Sequence, residues 1–422
     1  MMRRLEVSIE LSGREVKVGQ IMGNDAKDAA FSYDSVYLGT DHAQPISISL
    51  PLREEPFSPA ATTVFFDGLL PEGFTRRSVA KWLRAGEDDY LSLLAGLGSE
   101  CLGAVRITEG DAEPVKAAYR KIGMSRIREL AAEGAVESSQ MVVESHLSLT
   151  GASGKVGLYH DEHNDSWYMP VGDAPSTHIV KQSHVRLDNI VTNEQLVLLT
   201  ASKLGIEVPH SFIIDVGSGR DGDILLASKR YDRDQMSERD IDGMARPYRR
   251  HQEDLAQALG IPASSKYEEP GENYFARIAE LIRNYSSDPI TDIRRLMEIT
   301  IFNWLIGNTD NHVKNLSLVY SPDLMSVRLA PAYDLLSTTV YPSATHKMAF
   351  NIGGRYSVED IDRAAWSRAA ADIGMGAGYA QSLIDKMEEG LRGALTSSAE
   401  ELRDEGLTQA PEIANRILDI RR

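Results

Sequence analysis

Hydrophobic and polar positions alternate from the start of the chain. Leu5, Val7, Ile9 and Leu11 fall at every second residue, the period of a strand with one buried face. Val16 and Val18 continue the β character. Ile46-Ser47-Ile48-Ser49-Leu50 repeats the alternation between Pro45 and Pro51, which predicts a further strand. From Pro71 to Leu97 the period lengthens: Phe74, Val79, Trp82 and Leu83, then Leu91, Leu94 and Leu97, fall at helical spacing. Residues 1–108 therefore read as a small α+β unit.

The polar segment Glu109–Ala117 predicts a linker or hairpin, and a helix follows around Ser125–Ala132. Tyr159, Trp167-Tyr168-Met169, His178-Ile179-Val180, Phe212-Ile213-Ile214 and Ile224-Leu225-Leu226 are short apolar runs bounded by turn residues, as strands are. One helix interrupts them, Glu194–Leu204, with Asn193 as its cap and Gly205 as its stop. After about Arg233 helical spacing takes over, in Glu253–Leu259, Tyr274–Tyr285, Ile293–Ile306 and much of 359–420. The pattern divides the chain at 1–108, 109–233 and 234–422, a β-rich part followed by a mostly helical one.

Composition narrows the class. With 422 residues, 42% hydrophobic and 25% charged, the chain can bury a large core, which excludes disorder, collagen and coiled coil as its main state. The single cysteine, Cys101, excludes an intrachain disulfide scaffold and a thiolate zinc cluster. No apolar run approaches the roughly 18 residues of a membrane span, and the opening MMRRLEVSIELSG lacks the apolar core of a signal peptide. The expected address is the cytoplasm. A net charge of −17 argues against general affinity for nucleic acid and allows a basic protein partner.

Three constellations carry possible chemistry. Gly151-Ala152-Ser153-Gly154-Lys155-Val156-Gly157 spaces glycines so that backbone N–H groups can approach an anion, with a lysine beside them. It is no Walker loop, because Leu149 stands where that motif has its first glycine and Val156 where it has Ser or Thr. An ordinary tight turn fits equally. Lys181 closes an apolar run, and Glu194 could hold it by an ion pair as in protein kinases; a solvated strand lysine fits as well. Asp310-Asn311-His312-Val313-Lys314-Asn315 stands between two apolar walls, Trp304-Leu305-Ile306 and Leu316-Ser317-Leu318. Asp-x-x-x-x-Asn is the spacing of a kinase catalytic loop, in which the aspartate takes the acceptor proton and the asparagine binds Mg²⁺. Asp334, 19 residues after Asn315 and far enough for two strands and a turn, can offer a second metal carboxylate. The histidines show no His-Glu-x-x-His or other transition-metal pattern.

Taken together, these motifs resemble the HipA family of bacterial serine/threonine kinases, the toxin halves of toxin–antitoxin pairs. The matching stretches are Phe66-Asp67-Gly68-Leu69-Leu70-Pro71-Glu72-Gly73, Leu147–Lys155, Thr177–Lys181, Lys229-Arg230-Tyr231-Asp232-Arg233, His251-Gln252-Glu253-Asp254, Trp304–Asn315 and Pro331-Ala332-Tyr333-Asp334. The resemblance implies an α+β kinase-like fold of two lobes, the first β-rich with an extra N-terminal subdomain, the second all-helical. It implies that Asp310 is the catalytic base and that Asn315 and Asp334 hold Mg²⁺. Lys181 would contact the ATP phosphates, with His312 and Lys314 near them, and Lys229, Arg230 and Tyr231 would form the adenine hinge. Thr150, Gly151, Ala152, Ser153, Gly154 and Lys155 match the flexible phosphate loop, and Ser148 the autophosphorylated serine. The loop departs from the founding Gly-Ala-Gln-Glu-Lys pattern, which makes Ser153 a competing phosphosite, and Lys229 stands where an acidic residue is common. The resemblance further implies an aminoacyl-tRNA synthetase as substrate and a HipB-like helix-turn-helix antitoxin, through which alone operator DNA would be reached. A small-molecule kinase and a catalytically silent nucleotide-binding corepressor remain as alternatives.

Overall fold

The computed structural model describes residues 2–110, 115–145, 149, 154–183, 187–234 and 240–420. It forms two compact units, neither continuous in sequence. The first comprises Met1–His184, Ala227–Ala263 and Val319–Ser326; the second comprises Val185–Leu226, Ser264–Leu318 and Val327–Arg422. The mixed α+β class expected from the sequence is the class observed.

The first unit opens with an antiparallel sheet of Ala30–Tyr33, Arg14–Gly23, Arg3–Leu11 and Val105–Glu109, in that order across the sheet. Leu5, Val7 and Ile9 are fully buried, as their alternation requires. Helices Pro59–Asp67 and Tyr90–Leu97 pack on this sheet. Pro59–Asp67 escapes the periodicity reading, yet it carries a start signal: Ser58 Oγ accepts from Ala61 N, and proline occupies the first turn. The helical stretch 71–97 proves to be two helices, Gly73–Leu83 and Tyr90–Leu97. Phe74 and Trp82 lie on the exposed side of the first, so they do not belong to its core stripe.

The strand predicted at Ile46–Leu50 does not form; the segment is a series of turns. Ile46 and Leu50 are buried, four residues apart, while Ile48 is only half-buried. Its polar groups are satisfied by a buried carboxylate rather than by a neighbouring strand. Glu253 accepts from Ser47 Oγ at 2.5 Å and from Ile48 N at 3.1 Å.

A second antiparallel array runs Ala118–Ile122, Ser166–Val171, Lys155–Asp161, His178–Gln182. Tyr119 and Tyr159 pack ring against ring at 4.2 Å, and helix Ala135–Ser145 lies on the array.

The second unit is organised around helices Ile190–Lys203, Pro289–Leu305, Arg363–Asp372, Ala377–Asp404 and Ala410–Asp419. Trp304 and Trp366 meet edge to face at 5.3 Å in its core. The helix predicted at Glu194–Leu204 starts earlier, at Ile190, so Asn193 is not its cap and Glu194 does not open it. Asn193 lies buried inside it and donates from Nδ2 to Ser337 O at 2.8 Å.

The C-terminal part is not all-helical. Ser317–Tyr320, Val327–Leu329, Lys347–Ile352 and Arg355–Ser357 are strands. Each is at most six residues long, too short to show a period of two beside long helices. Two of them occupy the interval between Asn315 and Asp334, as that spacing anticipated. No described helix is long and apolar enough to cross a membrane.

Candidate functional site

Helix Pro289–Leu305 delivers the polar loop. The chain leaves it through Gly307, whose φ of +68° and lack of a Cβ are both required: a Cβ would stand 2.0 Å from Thr339 Oγ1. The Gly307 carbonyl receives N–H groups from Thr338 and Thr339, each at 3.1 Å. Asn308, fully buried, donates from Nδ2 to Asn303 Oδ1 at 2.7 Å and accepts Asp310 N at 3.1 Å. Thr309 is tied to Thr338 through their hydroxyls, 2.7 Å apart. The backbone entering Asp310 is thus anchored on both sides.

The Asp310 carboxylate accepts a hydrogen bond from the Tyr267 hydroxyl at 2.5 Å. The Tyr267 ring meets His312 edge to face at 5.2 Å. Asn315 closes the loop: its Nδ2 donates to Asp310 O at 3.0 Å and its N–H to His312 O at 2.8 Å. This spends an Asn315 amide N–H inside the loop. Lys314 is buried, and its carbonyl accepts from the Tyr333 hydroxyl at 2.9 Å. Asp334 adopts φ +57°, a left-handed conformation that costs a non-glycine residue about 1–2 kcal/mol and clusters at functional sites.

Asp310, His312, Lys314, Asn315 and Asp334 therefore all belong to the second unit, and the first four form one hydrogen-bonded loop. Among the described residues no group of three or more His, Cys, Asp or Glu side chains is placed to hold a metal ion. An amide oxygen and a carboxylate, such as Asn315 and Asp334 carry, are of the kind Mg²⁺ takes, since it needs few protein oxygens and completes its shell with water and phosphate.

The first unit brings together Lys155 and Lys181. They are direct partners in the antiparallel register, so their side chains leave the same face of the sheet. Two ammonium groups so placed suit an anion with several oxygens. Gly154 precedes them where a Cβ would stand 1.7 Å from Gln182 Nε2. Ser148, Thr150, Gly151, Ala152 and Ser153 lie outside the described residues.

Of the proposed hinge, Lys229 pairs with Glu162 at 3.0 Å in an exposed position, and the Tyr231 hydroxyl donates to Gln252 Oε1. The Arg230 guanidinium is fully buried among Glu100, Asp232 and Ser176, and the Arg230 backbone N–H donates to Thr177 O at 2.9 Å. The Arg230 side chain and N–H are thus both spent on protein groups.

Two features escaped sequence reasoning. One is Tyr267, in Lys266-Tyr267-Glu268-Glu269-Pro270, 43 residues before the aspartate it touches; no spacing rule connects them. The other is a cavity of about 640 Å³ bordering Asp310 and Tyr267, walled by Leu187, Leu336, Tyr341 and Met348 among others. Its lining is scattered over four stretches of chain, so only folding reveals it.

An α+β fold with a loop of this kind defines a kinase-like protein, and comparison with known proteins specifies which. The HipA N-terminal domain profile matches residues 9–108, and the HipA-like C-terminal domain profile matches residues 147–395. The chain belongs to the HipA family. It is 34% identical over 400 residues to "Putative kinase Y4mE" of Sinorhizobium fredii, covering 92% of this chain and 90% of that one. It is 26% identical over 378 residues to "Serine/threonine-protein kinase toxin HipA" of Shewanella oneidensis, covering 86% and 83%. The fold superimposes with a TM-score of 0.80 and 22% identity on a chain of the Shewanella oneidensis HipA, HipB and operator DNA complex, over 98% of this chain and 96% of that one.

Proposed function

We propose that this chain is an ATP- and Mg²⁺-dependent serine/threonine protein kinase of the HipA type. In this reading Asp310 takes the proton of the acceptor hydroxyl as its oxygen attacks the γ-phosphorus, and ADP leaves. Lys155 and Lys181 bind the phosphates, with Lys229 and Tyr231 at the adenine. Asn315 and Asp334 hold Mg²⁺, which would neutralise phosphate charge when bound. The acceptor protein is an aminoacyl-tRNA synthetase. Autophosphorylation at Ser148, with Ser153 as a second candidate, restrains activity by adding nearly two negative charges beside the phosphate loop. A HipB-like helix-turn-helix protein serves as antitoxin, and a net charge of −17 would attract its basic surface. The matched Shewanella oneidensis structure, in which HipA stands with HipB and operator DNA, supports this partnership.

The observation that carries the reading is the loop itself: Asn315 Nδ2 on Asp310 O at 3.0 Å fixes the two residues of the Asp-x-x-x-x-Asn pair to each other, beside a cavity of about 640 Å³. The test is intact-mass and peptide mass spectrometry after incubation with Mg²⁺ and ATP. Wild type is expected to gain phosphate on Ser148, and Asp310→Asn to lose transfer by about 10²–10⁴-fold. Equal phosphorylation of both would refute the assignment.

A further inference from the structure

The cavity beside Asp310 discriminates between kinds of acceptor. Leu187, Pro270, Leu336, Tyr341, Met348 and Ala349 make its wall largely apolar. The polar side chains on that wall are turned toward other protein groups. Thr309 Oγ1 lies 2.7 Å from Thr338 Oγ1 and donates to Thr345 O at 3.0 Å. The Tyr356 hydroxyl donates to Glu268 Oε1 at 2.6 Å, an oxygen that also receives Asn351 Nδ2 at 2.7 Å. Glu268 Oε2 accepts Tyr274 N at 2.6 Å. The Tyr341 hydroxyl accepts from Asn193 Nδ2 at 3.2 Å.

A sugar, nucleoside or aminoglycoside would bring many hydroxyls and amines into this space. Each would leave water at a cost unless the wall answered it. The wall answers with Asp310, and at its exposed edge with Ser343, Thr345 and Lys347. An acceptor that fits presents one hydroxyl to Asp310 and an apolar body to the rest.

We propose that the cavity is the acceptor site for a polypeptide segment in which an apolar side chain flanks the serine or threonine hydroxyl. Its volume of about 640 Å³ falls within the range of specific ligand sites, roughly 300–1,000 Å³. The chain's own Leu147-Ser148-Leu149 has such flanks. The proposal rests on the phosphotransferase reading and adds to it the feature by which an acceptor is chosen.

The test uses the full chain with Mg²⁺, ATP and two short synthetic peptides that share a polar background, one containing Leu-Ser-Leu and the other Gln-Ser-Gln. Phosphate on each peptide, phosphate on the chain and ATP consumption are measured in the same tubes. The leucine-flanked peptide is expected to show a kcat/KM at least about tenfold higher, mostly through KM, as one apolar contact in a fitted pocket gives. Met348→Ser is expected to shrink that ratio. Leu336, half-exposed, provides Leu336→Ser as a second variant should the first fail to fold. Equal kcat/KM for the two peptides overturns the proposal and leaves the kinase reading intact. So does phosphate on the chain with none on either peptide. Absence of peptide phosphate, self-phosphate and ATP consumption overturns both.

Discussion

Glu100 is the residue on which the first unit's charged core turns, and replacing it tests how that core is held. Glu100 is 1% exposed. One carboxylate oxygen takes both Arg249 Nε and Nη2, at 2.9 and 2.7 Å. The other takes Arg233 Nη2 at 2.9 Å, Arg230 Nη1 at 3.2 Å and Ser176 N at 3.2 Å. Glu100→Gln keeps the volume but puts an amide N–H group opposite some of these donors. It leaves three buried guanidiniums facing Asp232, Glu10 and, from Arg249, Asp173. Breaking a buried pair from one side costs about 3–5 kcal/mol, a large share of the roughly 5–15 kcal/mol that holds a domain together. The expected fall in Tm is on the order of 10 °C. Burial works against ionisation of Glu100, yet Arg233, Arg249 and Arg230 outweigh it and hold the carboxyl well below its ordinary value of 4.5. A depressed pKa gives stability that is present above the ordinary value and lost only as pH falls through the folded one. The deficit of the variant should therefore be constant from about pH 5 to about pH 8. Urea unfolding at several pH values measures it. A loss below about 1 kcal/mol would refute the reasoning and show that the three arginines do not depend on this carboxylate.

Two further predictions concern the same framework and the loop. Burial raises the Glu253 carboxyl to about 7 against hydrogen bonds from Ser47, Tyr320 and Ile48 that lower it. Because the folded pKa exceeds the ordinary 4.5, this group's stabilisation is full below 4.5 and lost as pH rises through about 7, a fall of about 3 kcal/mol. Glu253→Gln should flatten the stability profile over that window and exceed wild type in stability above pH 7; parallel profiles in urea unfolding would count against the argument. Gly307→Ala should cost about 2 kcal/mol or more, from left-handed strain and the contact with Thr339. It should also lower phosphate transfer, because the Gly307 carbonyl anchors the Thr338–Thr339 backbone that holds Thr309 beside Asp310; full activity with unchanged Tm would contradict it.

What the sequence revealed followed from how local the determining interactions are. The Leu5-Val7-Ile9 strand and the helix at Tyr274–Tyr285 are set by their own periodicity and form as read. Ile46–Leu50 has the same alternation and forms no strand, because its hydrogen-bond partner is Glu253, about 205 residues away. Asn193 shows the same limit: a good cap type by residue identity, it is spent on Ser337, 144 residues away. The Asp310–Asn315 loop was legible as one local unit because its residues bond to one another within five positions, as Asn315 does to Asp310. Tyr267 and the cavity were not, since both depend on chain segments that only tertiary structure joins. Arg230 lay within a recognised stretch, but its identity serves the buried charges rather than a ligand.

The His251-Gln252-Glu253-Asp254 run shows how a motif can be specific without containing chemistry. Successive residues of an extended segment point to opposite sides, and this run uses both. On one side His251 Nε2 meets Ile46 O at 2.7 Å, and Glu253 takes Ser47 and Ile48. On the other, Gln252 accepts from the Tyr231 hydroxyl and donates to Asp232 Oδ2 at 3.2 Å. Asp254 turns to Gln257 N at 2.8 Å and starts helix Leu255–Leu259 with a reciprocal capping box. His251 works neutral: burial lowers its pKa to about 4, leaving the ring nitrogen free of charge beside the Ile46 carbonyl. His251 and Glu253 are thus committed to the turns at 46–48, Gln252 to Tyr231 and Asp232, and Asp254 to the next helix, so exchanging two neighbours would point both at the wrong side. The run joins the turns at 46–48 to the segment Tyr231-Asp232, so a loss there should reach the Lys229–Tyr231 segment through position rather than through contact with a ligand.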